Sequence, residues 1–295
     1  MGIRLAKLPE QNTMKNLKIA MLDMEKYDNR RENQVGSSRI RGRWVRKYCP
    51  EIEEFYDGVK YDAVIYQKAY YKKHMEQFKG VKIFDLCDPD WMDGRPITEL
   101  TELVDAFTVP TKAMQDFISQ LTDKPVVIIP DRIDPEEHTP VKEQHIGKAR
   151  SVVWFGYSSN QVVLEQTLIP LKDMLLSLAV ISERPYRNAD INIDYKYETL
   201  NEELIKHDIV LLPDFTKDRR HKFKSPNKTL TSWALKMPVA TTPEELERFM
   251  NPDERTKEVE MRYNEVIEKH HVKQSGPQYL ELIQNIIKIK GGETL

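Results

Sequence analysis

A chain of 295 residues, 40% of them hydrophobic, is long enough for two modest cores, and its net charge of -2 gives it no overall attraction to nucleic acid or to an acidic membrane. Its two cysteines, Cys49 and Cys87, form no CxxC pair, which excludes a disulfide scaffold and a structural zinc site and fits a reducing cytoplasm. No run approaches the ~18 apolar residues of a membrane span and the N-terminus lacks a signal-peptide profile, so no transmembrane segment and a cytoplasmic location are expected.

Met1-Gly2 is followed by Ala6, where a myristoylation signal has Ser or Thr. In chain order, short apolar runs at 17–22, 61–67 and 80–86 predict buried parallel strands. Further strands are predicted at 106–110, 125–130, 151–156, 177–183, 207–213 and 238–242. Helical periodicity fills several of the gaps, at 38–48, 112–121 and 164–176. Strands that alternate with helices predict a doubly wound α/β architecture. The polar, proline-bearing segment 131–150 separates two such series and sets domains of 1–148 and 149–272, followed by an amphipathic helix within 273–295. No H-E-x-x-H, G-x-S-x-G, Walker A or G-x-G-x-x-G pattern occurs, which weakens zinc-enzyme, hydrolase, NTPase and dehydrogenase readings.

Three stretches carry candidate chemistry. Residues 30–47 hold seven Arg or Lys against one Glu, with a helix expected to start near Ser37 or Ser38, after Gly36. On that helix Ile40, Trp44 and Tyr48 are spaced to face the core, leaving Arg39, Arg43 and Arg46 opposite. Arg41 and Arg43 suit a phosphorylated acceptor, DNA included, because guanidinium forks match phosphate. An arginine-coated surface helix explains the same pattern equally well.

"DLCDPDWMDG" (85–94) follows a strand and offers Asp85, Asp88, Asp90 and Asp93. Asp88, first beyond the strand, is the preferred base for an acceptor hydroxyl, against the plain alternative of an Asp- and Pro-rich turn. "KDRRHKFK" (217–224) leads into Ser225-Pro226, where Ser225 has the chemistry of an N-cap and Pro226 fits the first helical position. The unpaired amides of a helix start, flanked by Lys224 and Lys228, make a place for phosphate. A solvated basic loop is the bland reading. The position beyond the strand at 207–213 favours a ligand, since open α/β sheets gather ligands at the carboxyl ends of their strands.

The run "DIVLLPD" followed by "KSPNKTLTSWALKMPVATT" resembles the donor-binding region of GT-B glycosyltransferases of the group-1, family 4-like kind. "VGSSRIRGRWV" (35–45), "AFTVPTKAMQDFI" (106–118), "VVIIPDRIDPEEHTP" (126–140) and "SVVWFGYSSNQ" (151–161) resemble further pieces of that family in the same order. The resemblance implies two Rossmann-like domains facing a cleft, with the C-terminal helix crossing back to the first. It implies sugar transfer from a UDP- or GDP-sugar held by the second domain to an acceptor on the first, a glycan or a modified DNA base, with no obligatory metal. Donor contacts carried over are Gly156, Tyr157, Arg219, Arg220, Lys224, Ser225, Asn227, Lys228 and Thr231; Gly36, Ser37, Ser38, Arg39 and Arg43 would meet acceptor or phosphate, and Asp88 and Lys224 are the catalytic candidates. This chain departs from the family at Phe223 and Thr231, which stand where two glutamates spaced E-x7-E are common, and at Lys236, which replaces a glycine. Those departures keep two alternatives open: a noncatalytic nucleotide-sugar-binding module on the same fold, and a sugar-nucleotide epimerase.

Overall fold

The computed structural model describes residues 17–32, 35–213 and 219–291. Met1, Gly2 and Ala6, Lys217 and Asp218 of the basic approach, and residues 292–295 of the expected terminal helix lie outside them. The first sheet is built from β1 (Ile19–Asp23), β2 (Ile52–Glu54), β3 (Ala63–Gln67), β4 (Val81–Asp85), β5 (Ala106–Val109) and β6 (Val126–Ile128), in the order β2-β1-β3-β4-β5-β6. The second contains β7 (Ser151–Phe155), β8 (Ser177–Ser182), β9 (Ile191–Asp194), β10 (Ile209–Leu211) and β11 (Val239–Ala240), in the order β11-β10-β7-β8-β9. Every pairing in both sheets is parallel.

Both faces of the first sheet are covered, which is why its strands read as unbroken apolar runs. Ile19, Met21 and Ile65 pack with Trp44, Val45, Tyr279 and Ile283, while Ala20, Leu22 and Val64 pack with Met75, Leu100 and Met114 on the other side. The two strands that the sequence does not announce are edge strands. β2 reads Ile-Glu-Glu, and most of β9 is exposed, so neither carries an apolar run. The helix expected over 164–176 is α-helical only at Leu168–Asp173 and is preceded by 3-10 turns from Ser158 to Thr167. Pro170 has no amide proton for the Gln166 carbonyl, so an α-helical ladder cannot run through it from the amino side.

The segment expected as one helix over 38–48 is a π-helical turn, Ser38–Arg43, joined to an α-helix, Trp44–Tyr48. Arg41, expected to suit a phosphorylated acceptor, is instead turned inward, and the expected arginine face fails at Arg39, which is also buried. Arg41 is 2% exposed, and its guanidinium donates to both oxygens of Asp85 (2.8 and 2.6 Å), to Asp131 Oδ1 (2.7 Å) and to the Ile129 carbonyl (2.7 Å). Tyr279 and Thr108 donate their hydroxyls to Asp85 Oδ1 at 2.8 and 2.5 Å. Tyr279 belongs to the terminal helix Ser275–Lys290, which crosses back onto the first sheet, where Gly276 sits so close to Cys49 that a Cβ would overlap its side chain. Among the described residues no helix is long and apolar enough to cross a membrane.

Candidate functional site

Each sheet reverses its strand order once, at β1/β3 in the first and β7/β10 in the second, and the carboxyl ends of strands at such a reversal frame a crevice. Beyond β7 the chain turns at Gly156; beyond β10 it reaches the helix Asn227–Ala234. The two meet at Lys228. Its Nζ lies 4.7 Å from the Trp154 ring centroid and 5.7 Å from that of Phe155. Gly156, at φ +152°, leaves room for it, since a Cβ there would collide with the ammonium.

Lys228 is half-buried, and no carboxylate among the described residues acts on it. Desolvation, with a smaller push from Lys224, brings its pKa down to about 8. Lys224 spans the same crevice, its Nζ 3.2 Å from Asn160 Oδ1 in the turn after β7. Among the described residues no side chain caps the Asn227–Ala234 helix, so its first amides lack acceptors within it, and the buried Asn227 Nδ2 has no partner there either. Tyr157, next to Gly156, is 66% exposed. Gly156, Tyr157, Lys224, Asn227 and Lys228 are therefore brought together.

The remaining donor candidates go elsewhere. The helix begins at Asn227, two residues after the expected start, because Ser225 does not cap it: the Ser225 hydroxyl donates to Asp131 Oδ2 at 2.5 Å. Arg220 forks onto Asp93 at 3.1 and 2.5 Å, across from the first sheet's loops, while Arg219 is exposed. Thr231 is buried on the inner face of its helix. Phe223 is buried against Trp91 and Phe117, at ring distances of 5.1 and 6.2 Å, and its carbonyl accepts from Thr111 at 3.3 Å.

On the first sheet's side, Asp88 follows β4 with its side chain about half exposed, and Lys68 donates to it at 2.7 Å while also reaching Asp90 at 3.2 Å. Tyr70 donates to Asp90 at 2.8 Å, and burial raises the Asp90 pKa. Ser38 is consumed internally: it accepts from the Glu25 amide at 3.1 Å and lies 3.3 Å from Gln67. Ser37 makes no capping bond, and Gly36 lies beside the Arg39 guanidinium. That guanidinium stacks on Tyr197 at 3.7 Å, and its buried Nε has no hydrogen-bond partner among the described residues. Burial pushes Tyr197 up to about 12 despite the nearby Arg39 and Arg43. Arg43 pairs with Glu32, Arg46 with Asp23 and Lys47 with Asp134, so the basic stretch is not a free cationic face. Trp154, Asn160 and Tyr197 were not flagged by the sequence; only the adjacency of Trp154 to a glycine turn offered a signal.

No protein-family model matches this sequence, and no curated protein does. Among solved structures the chain is similar to the catalytic domain of starch synthase IV from Arabidopsis thaliana, at a TM-score of 0.53 and 11% identity over 79% of this chain and 74% of that one. It is also similar to a glycosylation-associated protein (Gap123) complex from Streptococcus agalactiae, at 0.46 and 12% over 76% and 54%, and so spans about half the length of that chain. For the T4 phage β-glucosyltransferase the values are 0.43 and 14% over 92% and 98%. The starch synthase superposition, together with two parallel sheets and a returning terminal helix, shows a GT-B fold; the two looser superpositions carry no argument.

Proposed function

We propose that this chain transfers a sugar from a nucleoside-diphosphate sugar to an acceptor, the donor held by residues 149–272 and the acceptor by residues 1–148. The observation that carries this reading is Lys228, a desolvated ammonium with no carboxylate partner among the described residues, placed where the turn after β7 faces the uncapped helix after β10. When the bond from sugar to diphosphate breaks, negative charge builds on the departing phosphate. Lys228, partly withdrawn from water, is already positioned, with the exposed Lys224 and the helix-start amides beside it, so they stabilise that charge with little reorganisation. Asp88, oriented by Lys68, accepts the proton of the acceptor hydroxyl. The starch synthase of similar fold is one bound to ADP, which accords with a nucleoside diphosphate in the second crevice.

The direct test is calorimetric titration of UDP and GDP into the wild type and Lys228→Met. One diphosphate binds the wild type, and the variant binds it about 10–100-fold more weakly, the ~1.5–3 kcal/mol of a charge-assisted hydrogen bond. If neither diphosphate binds the wild type, the proposal is wrong. Phe223 and Thr231 favour a second reading, since neither supplies a carboxylate and Phe223 is spent on packing. Nucleotide binding with no diphosphate released from any donor in the presence of acceptors would select that noncatalytic module.

A further inference from the structure

A cavity of about 420 Å³ opens at the carboxyl end of β1, in a size range typical of small-molecule sites (~300–1,000 Å³). Its walls are almost entirely ionic, and the ions are paired. Arg46 Nη1 donates to Asp23 Oδ2 at 3.0 Å, Lys26 Nζ donates to Glu54 Oε1 at 2.7 Å, and Arg43 pairs with Glu32. The lining is completed by Glu25, buried and accepting the Val35 amide at 2.5 Å, by Arg30, which is held by Asp28 at 2.7 Å, and by Asn29. Four carboxylates therefore face four cations, and the formal charge of the lining sums to zero.

That balance selects among ligands. A phosphodiester gains little, because each cation already has a carboxylate and two carboxylates, Asp23 and Glu25, are buried in the wall. A cationic ligand meets the mirror-image difficulty. An apolar ligand would strip water from charged groups and return nothing. What remains is a neutral molecule dense in hydroxyls: carboxylates present two acceptors and guanidinium groups two parallel donors, the geometry that vicinal hydroxyls of a sugar ring satisfy. Ion pairing holds these planar groups in place before the ligand arrives, which lowers the ordering cost of binding. Gly42 protects the arrangement, since a Cβ there would stand 3.1 Å from Asp23 Oδ2 and 3.4 Å from Arg46 Nη1. The cavity also lies where the two sheets' loops meet. Arg43 is one turn beyond Arg39, which stacks on Tyr197 at the start of the helix Tyr197–Ile205 that follows β9, and Arg43 itself acts electrostatically on Tyr197.

We infer that this cavity seats an uncharged saccharide, and that the acceptor is therefore a glycan hydroxyl and not a nucleic acid. The word "acceptor" rests on the transferase reading; saccharide binding by the cavity does not. The test uses the full chain and saturation-transfer NMR with the methyl glycosides of glucose, galactose, mannose and N-acetylglucosamine, beside a mobility-shift assay with a short DNA duplex at low salt. At least one glycoside is expected to receive saturation, and Arg43→Gln and Glu32→Gln, both on the rim, are expected to weaken its binding about tenfold with unchanged melting temperature. The inference is overturned if no glycoside receives saturation, if both variants bind it as the wild type does, or if the duplex binds and Arg43→Gln abolishes that shift. Titration of UDP and of GDP on the same samples separates the two ideas. Glycoside binding with neither diphosphate bound sinks the transferase reading alone, and binding of either diphosphate without glycoside binding sinks this one alone.

Discussion

Arg41 and Lys228 are both cations withdrawn from water, and the protein treats them oppositely. Arg41 is enclosed by Asp85 and Asp131, with Tyr279 and the Ile129 carbonyl completing its shell, and its pKa is raised by those carboxylates in spite of desolvation. Lys228 has aromatic rings and a glycine turn around it, a second lysine nearby, and a pKa lowered to about 8. A buried charge that is fully partnered belongs to the framework. One left, among the described residues, without a counter-charge is what the proposed function assigns to an anion from outside. Composition alone treats the two residues alike, and only the partners tell them apart.

The comparison breaks hardest at Arg41. Arg41→Met strands two buried carboxylates and is expected to lower unfolding stability by about 3–5 kcal/mol, read by urea denaturation. A variant as stable as the wild type would remove Arg41 from the framework. A middle-sized effect comes from pH at Lys228. The free protein loses this proton near pH 8, while a bound phosphate raises the pKa, so above that pH the complex holds one more proton than the free state. Diphosphate affinity is therefore full below about pH 8 and declines as pH rises, by about tenfold per unit, until the pKa of the complex is reached. Calorimetry across that range should show the decline in the wild type and a flat profile in Lys228→Met. The smallest effect belongs to Arg220, which is paired with Asp93 but exposed. Arg220→Ala should leave the urea unfolding midpoint nearly unchanged, because solvent screens such a pair.

The sequence shows these features unevenly, for physical reasons. Buried parallel strands such as Ala63–Gln67 announce themselves because both faces must be apolar, whereas Ile52–Glu54 and Ile191–Asp194 sit at sheet edges, where one side needs no cover. Lys228 and Gly156 were legible from local cues, a helix start and a glycine after a strand. The burial of Arg41 was not, because its partners Asp85, Asp131 and Tyr279 are 44, 90 and 238 residues away and the π-helical turn shifts the face on which it emerges. Ser225 was misread as a cap for a related reason, since its oxygen is claimed by Asp131 from a distance of 94 residues.

The reach of Tyr279 also sets a timetable for biosynthesis. As the polypeptide leaves the ribosome, the six strands of the first sheet emerge well before position 279, yet the carboxylate at the end of β4 waits for that phenol to complete its hydrogen bonds. The earliest-made half is thus the last to be sealed, and a nascent chain stalled short of its final helix would carry a first half with a core still open on one face.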